Sequence, residues 1–296
     1  MHPLSLFHFS WPERVAYRVP LPGGRTLELG ARTLVMGILN ITPDSFSDGG
    51  LRLDPKRAVD DGLSMIEDGA DILDVGGEST RPGADRLPAA DEMRRVLPVV
   101  EGLAAHGAAL ISIDTYKSEV AREAVARGAS IINDVSGLLY DRALGQVAAD
   151  TGAALVLMHT RGRSREMYEL AVYDDVVREV GEELRGAIGR AVAEGVREDA
   201  IILDPGFGFA KRAEHSFEVL RGLPALAALG RPILSGPSRK SFLKVALGER
   251  LPPDREWGSA AAVTASVLLG AHIVRVHGVR EMVDVARVAD RIRSST

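Results

Sequence analysis

From Thr33 onward, short apolar runs alternate with segments of helical periodicity. Eight runs rich in Val, Ile and Leu recur, at 34–39, 72–75, 110–113, 131–132, 155–158, 201–203, 232–234 and 273–276. They lack polar alternation, the pattern of strands buried on both faces of a parallel sheet. The segments between them carry apolar stripes at helical spacing. In one, Ala58, Val59, Leu63 and Ile66 form the stripe, Asp54 is placed to cap it and Pro55 suits its first turn. Met93, Val96, Leu97 and Val100 form a second stripe, and Val176, Val177, Val180, Leu184 and Ile188 a third.

A local signature repeats where a helical segment gives way to an apolar run: Gly69-Ala70, Gly107-Ala108, Gly128-Ala129, Gly152-Ala153 and Gly270-Ala271. Glycine there ends a helix in the left-handed conformation, and alanine lets the chain turn tightly into the next strand. Eight such units over about 250 residues predict a (β/α)₈ TIM barrel. The competing doubly wound sheet would want a glycine-rich phosphate loop after its first strand. That run ends instead in Asn40-Ile41-Thr42-Pro43, and no Walker or dinucleotide fingerprint is present. Residues 11–29 read as two short strands around the turn Pro22-Gly23-Gly24. The expected organisation is a β-hairpin extension over residues 1–30 and a barrel over 31–296.

Composition narrows the chemistry. Of 296 residues, 46% are hydrophobic and 26% charged, ordinary for a globular chain. The net charge of −5 gives no basic field for nucleic acid or membrane, so an anionic substrate would need a local cluster of cations. The absence of cysteine excludes disulfides, thiolate metal sites and a cysteine nucleophile, and suits a reducing cytoplasm. No signal peptide is expected from residues 1–15. The longest apolar stretch, 260–276, is interrupted by Thr264, Ser266, His272 and Arg275, and does not read as a spanning helix.

The residues closing the eight runs are Asn40, Asp74, Asp114, Asn133 with Asp134, His159, Asp204, Ser235, and Arg275 with His277. In a barrel all eight ends share one face, the catalytic mouth. Any one Asp or Asn after a strand is as readily a helix cap or turn residue. A whole ring is harder to explain that way, because buried carboxylates need partners or a ligand. Asp134 and Ser235 are best left to the structural role, and Asp74 stands between. Gly236-Pro237-Ser238-Arg239-Lys240-Ser241 follows the seventh run and opens a helix: an anion site, or a solvated basic turn. Arg275 and His277 occupy alternate positions and so point the same way, Arg275 offering a fork suited to phosphate. His277 on its own is as readily a structural histidine. The long loops 40–50 and 76–83 read as lids over the mouth or as plain surface loops. The seven histidines form no HExxH or His-x-His, and no nucleophile elbow is present; a binuclear hydrolase site or a serine triad is not expected.

Together these strings resemble the dihydropteroate synthases of the pterin-binding TIM-barrel superfamily. The resemblance rests on Met36-Gly37-Ile38-Leu39-Asn40-Ile41-Thr42-Pro43-Asp44-Ser45-Phe46-Ser47-Asp48-Gly49-Gly50 and on Gly77-Glu78-Ser79-Thr80-Arg81-Pro82-Gly83. It continues through Ile113-Asp114-Thr115, Ile132-Asn133-Asp134-Val135, Leu157-Met158-His159 and Leu203-Asp204-Pro205-Gly206-Phe207-Gly208-Phe209. Ser238-Arg239-Lys240-Ser241 and Arg275-Val276-His277 complete it, in order, from about Thr33 to the C-terminus.

The resemblance implies condensation of 6-hydroxymethyl-7,8-dihydropterin diphosphate with p-aminobenzoate to give 7,8-dihydropteroate and pyrophosphate, a step of folate synthesis. It implies loss of pyrophosphate before attack by the arylamine. Asp114, Asn133, Met158, Asp204, Lys240 and Arg275 would form the pterin site. Asn40, Thr80, Arg275 and His277 would hold pyrophosphate, with Mg²⁺ carried on it and Asn40 as protein ligand. Asp48 would stabilise the developing cation, so Asp48, Lys240, Arg275 and His277 would be catalytic. Arg81, Pro82, Phe209, Lys240 and Ser241 would form the aminobenzoate site, the target of sulfonamides, and the assembly would be a homodimer through the last helices. Two positions depart from the pattern. Ala210 stands where glycine is expected, adding a methyl beside Phe209. Gly278 stands where the family often has Asp, removing a candidate orienting partner for His277 or Arg275. The competing readings are a methyltetrahydrofolate:corrinoid methyltransferase, although no cobalamin module is present, and a non-catalytic pterin-binding paralogue.

Overall fold

The computed structural model describes residues 10–41, 54–79, 86–107, 110–163 and 166–294. Two strands, β1 (Tyr17–Pro20) and β2 (Thr26–Leu29), pair antiparallel around the Pro22–Gly24 turn. Eight parallel strands follow: β3 (Leu34–Asn40), β4 (Ile72–Gly76), β5 (Leu110–Asp114), β6 (Ile131–Asp134), β7 (Ala154–Met158), β8 (Ile201–Asp204), β9 (Leu234–Ser235) and β10 (Ile273–Val276). Their order is β8-β7-β6-β5-β4-β3-β10-β9. A bridge between Leu203 and Ile233, with Leu203 N–H donating to the Pro232 carbonyl at 2.9 Å, joins the two ends. The sheet is therefore a closed barrel and not an open doubly wound sheet.

The connecting helices are α1 (Pro55–Glu67), α2 (Ala89–His106), α3 (Ser118–Ala126), α4 (Ala143–Thr151), α5 (Val176–Ala193), α6 (Ala213–Arg221), α7 (Leu223–Ala227), α8 (Lys244–Leu247), α9 (Glu256–Leu268) and α10 (Val279–Ser294). Asp54 caps α1, accepting from the N–H groups of Lys56 and Arg57. Val96, Val100, Val176, Val180 and Leu184 are buried in the core between helices and barrel, and Leu63, Ile66, Met93 and Leu97 pack against it. All five signature glycines have positive φ, from 61° at Gly107 to 117° at Gly128, as the helix-to-strand turn requires. Among the described residues no helix is long and apolar enough to cross a membrane.

A second core lies inside the barrel at the strands' amino ends. Leu34, Met36, Ile72, Ile131, Ala154, Val156, Ile202, Leu234 and Ile273 pack there with Val19, Leu21, Leu27 and Leu29 of the hairpin. The hairpin thus closes the bottom of the barrel, and its alternating apolar positions are the plug.

Candidate active site

Strand geometry explains how an apolar barrel acquires a polar mouth. Side chains two residues apart share a face. Stepping by two from the buried plug, Ile72 leads to Asp74, Leu110 through Ser112 to Asp114, Ile131 to Asn133, Ile202 to Asp204, and Ile273 to Arg275. The same step from Leu34 reaches Asn40, and from Ala154 reaches Met158. The interior therefore turns from aliphatic to charged within two residues of strand.

At its centre Arg275 bridges two acids. Its Nε donates to Asp74 Oδ2 and its Nη2 to Asp114 Oδ2, each at 2.6 Å. Asn133 Nδ2 donates to the same Asp74 oxygen at 3.0 Å. Asp74 is wholly buried, so one cation serves two carboxylates in a poorly solvated space. Burial pushes Asp114 up to about 7; Arg275 opposes the shift and Asp74 adds to it. Asp74, ambiguous in sequence, is thus a pillar of the site. The two-residue step from Ile72 is the signal that finds it.

The loop after β8 forms another wall. Asp204 Oδ1 accepts from Gly206 N–H at 2.7 Å. Gly206 has φ 68°, and a Cβ there would collide with the His159 carbonyl, so glycine is required twice over. Lys240 reaches across from the loop after β9: its Nζ donates to the Phe207 carbonyl at 2.7 Å and lies 4.5 Å from the centre of the Phe209 ring. Phe207 is wholly buried and Phe209 half-buried. Burial brings Lys240 down to about 8 against the pull of Asp204, while burial raises Asp204 against the pull of Lys240.

On the far side His277 Nδ1 meets Ser238 Oγ at 3.0 Å, and Ser238 Oγ also accepts the His277 N–H. Ser238, unassigned in sequence, thus aims the His277 ring. Arg275 and His277 have different neighbours, Arg275 turning onto the acids and His277 onto Ser238. Asn40, half-buried, ends β3, and Met158, buried, ends β7. Ser241 is exposed and opens a short 3₁₀ turn, Ser241–Leu243, ahead of the four-residue α8, in place of the longer helix expected. Asp134 accepts from Ser136 and from Leu138 N–H, and Ser235 meets Ser266 at 2.8 Å, both in supporting roles. After β4, Glu78 accepts from Tyr116 Oη at 2.9 Å and Leu87 N–H at 3.2 Å, and pairs with Lys117. Asp48, Thr80, Arg81 and Pro82 lie outside the described residues.

The match to a family of pterin binding enzymes spans residues 36–277, from β3 to His277. A dihydropteroate synthase of Synechocystis is 44% identical over 92% of this chain and 95% of its own. A solved Xanthomonas albilineans dihydropteroate synthase with 4-aminobenzoic acid is 42% identical, covering 95% of this chain and 100% of its own at a TM-score of 0.87. The chain belongs to the dihydropteroate synthase family. A further X. albilineans synthase structure, in complex with 7,8-dihydropteroate, has a TM-score of 0.83 at 40% identity, covering 94% of this chain and all of that one. This family membership makes the chain a transferase of folate synthesis.

The two departures from the synthase pattern have structural readings. Ala210 is wholly buried at φ 47°, and its carbonyl accepts from Tyr173 Oη at 2.9 Å. Its consequence is a left-handed backbone costing about 1 kcal/mol, more than a change in pocket width. At Gly278 a Cβ would collide with Glu256 Oε1. Ser238 orients His277, and Asp74 with Asp114 orients Arg275, so neither depends on a side chain at 278.

Proposed function

We propose that the mouth divides its residues by substrate. The pterin's aminopyrimidinone edge presents adjacent N–H donors. Asp114 and Asp204 are acceptors for them, and Asn133 both donates and accepts. Met158 lines the ring's pocket, and Lys240 binds its carbonyl or ring nitrogen. The observation that carries this reading is three acid side chains, Asp74, Asp114 and Asp204, gathered in a poorly solvated mouth around Arg275 and Lys240. A neutral, donor-rich ring satisfies such acceptors without adding charge.

Arg275, His277, Asn40 and Thr80 hold the diphosphate. Arg275 reaches it by leaving Asp114 as the pterin takes that oxygen. Among the described residues no three His, Asp or Glu side chains gather to hold a metal. Asn40, which ends β3 at the mouth, offers an amide oxygen as protein ligand to Mg²⁺ arriving on the diphosphate. When bound, the ion neutralises charge on the leaving group. Asp48 supports the cation left on the pterin methylene. The arylamine, neutral at pH 7, attacks without a general base, from a slot between Phe209, Lys240, Arg81 and Pro82, its carboxylate towards Ser241. We also assign homodimer formation to the face of α9 and α10, where Trp257, Val288 and Ile292 are exposed; a monomer in sedimentation equilibrium would contradict that. Activity is placed in the cytoplasm, which cell fractionation checks.

Pyrophosphate release is the test. Release is expected only with both p-aminobenzoate and Mg²⁺ present, and a sulfonamide should compete with p-aminobenzoate. Binding of the pterin diphosphate without aminobenzoate-dependent turnover would favour a pterin-binding paralogue instead.

A further inference from the structure

Lys211 is a buried lysine that the reaction leaves unused. It is 1% exposed, and its Nζ is surrounded by three acceptors: His159 Nδ1 at 2.7 Å, and the carbonyls of Gly206 and Phe209 at 3.1 Å each. Three acceptors use all three N–H donors of an ammonium. The two carbonyls belong to the loop that Lys211 itself ends. That loop passes through three left-handed residues, Gly206 at φ 68°, Gly208 at 75° and Ala210 at 47°. Such a backbone is costly at an alanine, and the ammonium supplies a reason for it to persist: the 206 and 209 carbonyls are turned inward onto Nζ. The Phe207 carbonyl between them goes instead to Lys240 at 2.7 Å. Two lysines thus hold one loop, Lys211 from within and Lys240 from the mouth. Across the cage, His159 Nε2 contacts Glu183 Oε2 at 3.1 Å, and Arg161 Nε binds the same carboxylate at 2.9 Å, tying the loop to α5.

We propose that Lys211, seated on His159, is a positioning residue for the aminobenzoate side of the reaction, fixing Phe209 through its carbonyl. It touches neither substrate. The inference rests on the functional reading above, which assigns Phe209 to the aminobenzoate slot.

Steady-state kinetics with both substrates varied tests it. Lys211→Met keeps the length and removes the charge. It is expected to raise KM for p-aminobenzoate about 10-fold or more, as misplacement of a binding wall does, with KM for the pterin diphosphate changed less than about 2-fold. His159 gives a second pair that does not require Lys211→Met to fold. His159→Asn keeps an acceptor near the Nδ1 position and should stay close to wild-type KM for p-aminobenzoate, whereas His159→Ala should raise it. A purely structural role would lower the melting temperature and leave the ratio of the two KM values unchanged; that result in folded variants overturns the positioning role while wild-type turnover leaves the functional reading standing. Absence of aminobenzoate-dependent turnover in the wild type overturns both.

Discussion

Arg275→Ala should lower kcat/KM for the pterin diphosphate by about two orders of magnitude or more, the usual cost of removing a charged donor aimed at a developing anion. The loss has two origins. The diphosphate loses a fork of N–H donors, and Asp74 and Asp114 lose the cation they share. Stranding a buried carboxylate costs roughly 3–5 kcal/mol, which lowers stability without unfolding a domain of ordinary stability, about 5–15 kcal/mol. Circular dichroism should therefore show a folded protein with a lower Tm. Arg275→Lys should not restore activity, because one ammonium cannot span both acids along two fixed directions. The pH profile adds a second signature. Asp114 offers both oxygens as charged acceptors only when ionised, and its folded pKa is raised to about 7. Wild-type kcat/KM should therefore fall as pH drops below about 7. Arg275 opposes that rise, so its removal should move the acid limb to higher pH. Wild-type rates, or an unmoved limb, would refute its place in the site.

Lys240→Ala should lower turnover by about 10²–10³-fold, on the same scale, and weaken both substrates together. Its Nζ binds the Phe207 carbonyl and lies over the Phe209 ring on the aminobenzoate side, and its charge balances Asp204 on the pterin side. Without it Asp204, already pushed up by burial, rises further, which weakens it as an acceptor for the pterin. Since burial brings Lys240 down to about 8, activity that needs the ammonium should fall as pH rises through about 8. A variant that raises KM for only one substrate would show that Lys240 serves one wall and not both. A loss of activity together with loss of the circular dichroism spectrum would make the residue structural.

The barrel was readable because its signals are local. An apolar run without alternation, a stripe at helical spacing and a glycine that must take positive φ each need only a few neighbouring residues, and the eight units repeat them. Closure was less accessible: it depends on the single bridge between Leu203 and Ile233, in strands that are short and far from the first. The hairpin was visible as two strands around a turn, but not the target of Val19, Leu21, Leu27 and Leu29, since an apolar face says nothing about what buries it. In the site, Asn40, Asp114, Asn133, Asp204 and Arg275 were found because they close strands. Asp74 was ambiguous because an Asp in a strand reads equally as a turn residue, and its value lies in Arg275, which sits at the opposite end of the chain. Lys211 gave no signal of its own in the sequence. Its role depends on carbonyls turned inward by a loop conformation that composition does not encode, and burial of a lysine is rare enough that sequence argues against it.

The most direct measurement of the account is a crystal structure with the pterin diphosphate bound. The aminopyrimidinone edge is expected within hydrogen-bond distance of Asp114, Asn133 and Asp204, with Arg275 moved off Asp114 towards the diphosphate. A pterin seated elsewhere, with Arg275 still bridging Asp74 and Asp114, would contradict it.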